Sequence, residues 1–86
     1  AADANCGIRY VRLEIGINNP IIMVELEVWS AQRNIALNRR SYQDTTSGTR
    51  VASNCNDGVR DANNTFYDSS VCQTGSSLDT YWEVDF

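Results

Sequence analysis

Apolar and polar positions alternate in three stretches of the chain. "IRYVRLEI" sets Arg9, Val11, Leu13 and Ile15 on one side and Ile8, Tyr10, Arg12 and Glu14 on the other. That is the two-residue period of a strand with one mostly apolar face. "INNP" follows as a turn signal. "IIMVELEVW" then alternates Ile22, Val24, Leu26 and Val28 against Met23, Glu25, Glu27 and Trp29, and the two segments predict an antiparallel pair. "RNIAL" is a third short strand candidate, and "RRSYQDTTSGTR" reads as loop with some extended chain. "YWEVDF" alternates at the end, with Trp82, Val84 and Phe86 on one face. No segment carries a 3.6-residue period, so the pattern predicts an all-β fold, an antiparallel sandwich or part of one. Between the last two strands lies "VASNCNDGVRDANNTFYDSS", a polar stretch rich in Asn and Asp. A loop of that length in a compact domain is functional or disordered.

Composition narrows the function classes. At 86 residues the chain is one small domain, with a modest core that disulfides, a metal or partner subunits would reinforce. Formal net charge is −4, and all seven basic residues are Arg, scattered without a stripe. Nucleic acid and anionic membranes are therefore poor partners, and no apolar run approaches membrane-spanning length. There is no His and no Lys, which removes the commonest general base and the amine nucleophile. No hydrolase, zinc-protease or phosphate-loop motif is present, so the expectation is a non-enzymatic protein. The pairs Glu25/Glu27 and Glu83/Asp85 read as solvated strand faces rather than a glycosidase pair. Three Cys (Cys6, Cys55, Cys72), the sequon at Asn63 and the small-residue start "AADAN" together point to a secreted protein, Asn63 being a candidate glycosylation site. Cys55 and Cys72 flank the Asn-rich loop and are expected to form a disulfide, the alternative being two buried thiols. Cys6 is then left over for another molecule, or as a free thiol.

Two pieces of the chain resemble the fucolectin branch of the F5/8 type C (discoidin-like, galactose-binding-like) β-sandwiches. Residues 32–86 resemble the opening of such a domain, through "NIA", "ASNCNDG", a Ser-containing stretch and "WEVDF". Residues 1–31 resemble its close, through "GIRYVR" and "VELEV". The family order is thus inverted and its middle is missing. The resemblance implies a single jelly-roll-like module that is permuted or incomplete, or that spans a junction of two repeats.

The same resemblance implies a calcium site, its ligands carried over as Asn54, Asp57, the Val59 carbonyl, Ser70, the Val24 carbonyl and Glu25, with Ser69 adjacent to Ser70. Two carboxylates among oxygen donors suit a divalent hard cation, and the ion would clip the two halves of the chain together. The plain alternative is a polar turn at Asp57-Gly58. For sugar binding, the family's His position corresponds to Gln73, and its Arg pair falls in the missing middle. Tyr81 and Trp82 are candidates for stacking on a sugar, although Trp82 reads as core; Trp29 is expected at a surface or interface. Two functions follow as expectations: a calcium-stabilised extracellular structural module that self-associates head to tail into a filament or surface layer, or a calcium-dependent lectin for fucose- or galactose-type glycans. For self-association, strand addition is expected at Ile8–Ile15 or Tyr81–Phe86.

Overall fold

The computed structural model describes residues 7–60 and 70–86. Cys6, Asn63 and Ser69 lie outside the described residues. The described residues are all-β apart from one 3-10 turn. In order it forms β1 (Tyr10–Ile15), β2 (Ile22–Met23), β3 (Trp29–Ser30), β4 (Arg33–Asn34), β5 (Ser41–Gln43), a 3-10 turn (Ala52–Cys55), β6 (Cys72–Gln73) and β7 (Thr80–Asp85). The strands make three antiparallel assemblies: β1-β7-β5, β2-β6 and β3-β4.

β7 is the centre of the main sheet because its alternation is the cleanest in the chain. Thr80, Trp82 and Val84 are fully buried, while Tyr81, Glu83 and Asp85 are half-buried on the opposite face. Trp82 anchors this layer through its ring and through an Nε1–H donated to the Ala52 carbonyl at 3.1 Å, so a buried indole is left with no unpaired donor. Ile21, Ala36, Ala52, Cys55, Cys72 and Val84 pack with it, and Val11, Ile15, Met23, Leu26, Val28 and Phe86 line the margin.

The structure corrects three sequence expectations here. β1 does not pair with the Ile21–Trp29 segment; it pairs with β7 over its whole length, Tyr10 opposite Asp85 through Ile15 opposite Thr80. Residues 21–29 are not one strand. Ile22 and Met23 pair with β6, and the chain then leaves the ladder, because the Leu26 N–H goes to the Cys55 carbonyl at 2.6 Å and the Ile35 N–H to the Val28 carbonyl at 2.7 Å. A local alternation can be satisfied by bonds to irregular neighbours as well as by a strand. Third, Tyr81–Phe86 is not an edge: β1 covers one side of β7 and β5 the other, extended by Asp85 N–H to the Arg40 carbonyl at 2.9 Å. β5 itself arises in a stretch that reads as polar loop, since a three-residue strand against a buried partner needs little apolar content.

The third expected strand, at Arg33–Leu37, shrinks to β4, paired with β3 through a two-residue turn in which Ala31 and Gln32 both have positive φ (50° and 64°). Such a turn matches strand twist but favours Asn and Gly. Ile35 and Ala36 continue from β4 into the core.

Candidate metal centre and an adjoining polar cluster

The Asn-rich loop begins as the 3-10 turn Ala52–Cys55 and is fixed by particular side chains rather than by a ladder. Cys55 and Cys72 are joined in a disulfide that spans 17 positions of sequence. Asn54 donates its side-chain amide to the Val71 carbonyl at 3.0 Å. Asn56 is almost completely buried and donates to the Ala36 and Arg39 carbonyls at 2.9 and 2.7 Å, while its own carbonyl takes the Asn38 N–H at 2.7 Å. Asn56 thus fastens the loop to the 36–39 turn, a structural role that the motif reading did not assign. Gly58 closes the loop at φ +88°, and a Cβ there would lie 3.0 Å from Leu37 Cδ1. The backbone conformation therefore calls for glycine.

Glu25 reaches this loop from the other half of the chain. Its Oε2 accepts the Gly58 N–H at 2.8 Å, and Asp57 Oδ1 accepts the Val59 N–H at 3.0 Å. Glu25 was expected on a solvated face; instead its Oε1 is buried with no hydrogen-bond partner, the one carboxylate oxygen in that condition among the described residues. Burial, and after it the neighbouring charges of Asp57 and Glu27, push the Glu25 carboxyl up to about 7, against the lowering effect of the Gly58 N–H. Two carboxyls driven together can share a proton or a cation. Glu27 is paired instead: it accepts Trp29 Nε1–H at 3.0 Å and Arg60 Nε–H at 2.5 Å, which hold it below the usual carboxylate range.

The other candidate ligands are held by their own contacts around the loop. Asn54 is tied to Val71, next to the buried Ser70, and Val24 adjoins Glu25. Leu26 is bonded to Cys55, which runs the Val24–Leu26 segment along the loop. Among the described residues no three His, Cys, Asp or Glu side chains gather in one place. A cation here would draw on two carboxylates together with amide, hydroxyl and carbonyl oxygens, a donor set that fits calcium rather than zinc.

A second polar cluster adjoins β6. Gln73 is half-buried in that strand. Its N–H goes to the Arg50 carbonyl at 2.9 Å, and its own carbonyl accepts the Ser47 N–H at 2.9 Å and Gln43 Nε2 at 3.2 Å. Arg50 Nη1 in turn donates to Gln73 Oε1. Arg50 was not picked out from the sequence, since nothing in a 23-residue separation signals that two loops meet. The stacking candidates divide. Trp82 is core, and one face of Tyr81 is covered by the Arg12 guanidinium, 4.3 Å from the ring centroid. Trp29 is exposed, as expected. No family model matches the chain, and neither a curated protein nor a solved structure was found to be similar to it.

Proposed function

We propose that this chain is a non-enzymatic, extracellular, lectin-like β module of the fucolectin kind, stabilised by calcium and associating with copies of itself in a filament or surface layer. The permuted or incomplete sandwich is part of this reading. Three small sheets around one core, with the closing motifs on β1 and around Glu25 and the opening motifs on β4, the Asn-rich loop and β7, suit such an arrangement. One observation carries the proposal: Glu25 and Asp57, 32 positions apart in sequence, meet at Gly58 with a buried carboxylate oxygen left without a partner. Asn54, Asp57, Ser70 and Glu25, with the carbonyls of Val24 and Val59, would hold the ion. Calcium would neutralise the two carboxylates and join the halves of the chain. The disulfide and the small core suit a secreted protein.

A second reading, a calcium-dependent lectin for fucose- or galactose-type glycans, is favoured by the Arg50–Gln73 pair, which puts a cation beside the position where the family holds its sugar. One set of measurements tests both. Melting in calcium and in EDTA should differ by about 2.7 kcal/mol when calcium stands a hundredfold above its Kd, roughly 10–20 °C for a domain of this size. Glu25→Ala and Asp57→Ala should abolish the difference. Identical melting curves would sink the calcium module. Titration with a fucoside or galactoside, lost in Arg50→Ala, would shift the reading to the lectin.

A further inference from the structure

β1 is an edge strand: β7 pairs with one side of it, and among the described residues no strand pairs with the other. Phe86 N–H donates to the Arg9 carbonyl at 2.8 Å, whereas Asp85 N–H points the other way, to the Arg40 carbonyl just before β5. An antiparallel ladder alternates in this way. Val11, Leu13 and Ile15 therefore bond towards β7, and the backbone N–H and C=O groups of Tyr10, Arg12 and Glu14 point to the open edge. Side chains divide by the same parity. Val11, Leu13 and Ile15 lie on the core side, opposite Val84, Trp82 and Thr80. Val11 and Ile15 pack against the core, but Leu13 does not belong to it and stays 36% exposed in the middle of the strand. On the other face stand Arg12 and Glu14.

We propose that this edge pairs with the same edge of a second copy, antiparallel, about a two-fold axis at Leu13. The proposal rests on the self-association in the proposed function and replaces its open filament with a closed two-fold contact. In that register Arg12 stands opposite Glu14 of the partner subunit, twice over. Leu13 meets its own counterpart, and Val11 meets the partner's Ile15. The open backbone groups of Arg12 and Glu14 then pair, joining two three-stranded sheets into one. Charge selects the register. An axis at Arg12 sets Arg against Arg, and one at Glu14 sets Glu against Glu. An axis at Val11 leaves Glu14 with no opposite charge and puts Leu13 against Arg9. In the single chain Arg12 is drawn over β7 by Glu83 at 2.8 Å and by the Tyr81 ring, and bonds Glu14 of its own strand at only 3.4 Å; its remaining donors are what the partner's Glu14 would take up. Such a two-fold contact closes on itself and gives a dimer.

The test uses the full chain. Sedimentation over a concentration series should show the mass rising from 9.6 kDa to twice that value and stopping there. Glu14→Arg should weaken association at least about tenfold, by setting Arg against Arg across the axis. Arg12→Glu should do the same, and an equimolar mixture of the two variants should restore the dimer, since only the mixed pair has opposite charges throughout. Should either charge variant fail to fold, Leu13→Cys in a Cys6→Ser background decides. It should oxidise to a covalent dimer, whereas Val11→Cys, whose partner across the ladder is Ile15, should not. A monomer at every concentration, a mass that grows without limit, or equal cross-linking at the two positions would overturn the two-fold pairing. None of these outcomes touches the calcium reading, which stands or falls on the melting curves.

Discussion

The two halves of this small core are held by different means. In the β1-β7-β5 sheet the backbone does most of the holding. Six consecutive residues of β7 pair with β1, and three of them also pair with β5, while the side chains divide by parity into a buried and a solvated face. In the region of Glu25, the Asn-rich loop and β6 the ladders are two residues long. Order there comes from single groups: the Cys55–Cys72 bond, the buried Asn56 amide and the Glu25–Gly58 contact. The sheet is redundant, so that losing one bond leaves its neighbours in place. The loop region is not, and each of its fastenings sets the position of several residues. This is how a chain with limited core area can still fix polar segments such as Asn54–Gly58.

The largest expected effect tests the sheet. Trp82→Ala removes a fully buried indole and its bond to Ala52, and should cost about 3–5 kcal/mol, read as a lower urea midpoint or as failure to fold. A loss under about 1 kcal/mol would mean that the core does not centre on β7. Next comes the loop. Replacing both Cys55 and Cys72 by Ala should cost about 3 kcal/mol, the loop-closure entropy of a bridge of this span. If the two regions differ as described, hydrogen exchange in that variant should speed up for Asn54–Gly58 and Val71–Thr74 and leave Thr80–Asp85 protected; uniform loss of protection would show that the halves unfold as one.

The smallest effect sharpens the site itself. The Glu25 carboxyl is raised to about 7 in the folded chain, so without metal it favours folding when protonated. That contribution is full below the ordinary carboxylate range and is lost as pH rises through about 7. After solvent screening the change is about 1–2 kcal/mol. In EDTA the melting temperature should therefore be higher at pH 5 than at pH 8, and Glu25→Gln should flatten the slope. In calcium the slope should reverse, because the ion binds the ionised carboxylates. Glu27, lowered by Trp29 and then Arg60, and Glu83, lowered by Arg12, act in the opposite sense, with support that is lost only as pH falls through the carboxylate range. A slope that is the same with and without calcium would separate Glu25 from any metal.

Periodicity alone pointed to an all-β chain, to Trp82 and Val84 on one face and to Val11, Leu13 and Ile15 on one side, because alternation is a property of the local backbone and needs no partner to be read. The Cys55–Cys72 bond was also legible, from two thiols flanking one loop. Which strands pair was not. β1 follows a turn into residues 21–29 and yet lies against β7, about 70 positions away. The deciding quantity is how much apolar surface each pairing buries, and the fully buried face of β7 outbids an amphipathic neighbour. The same holds for the sites. Glu25 and Asp57 could be named from motifs, but the buried Oε1 exists only because Leu26 and Cys55 bring their segments side by side. Arg50 beside Gln73, and Asn56 in the core, left no signal in the sequence, since a polar side chain gives no sign of its burial until the fold surrounds it with carbonyls that need donors.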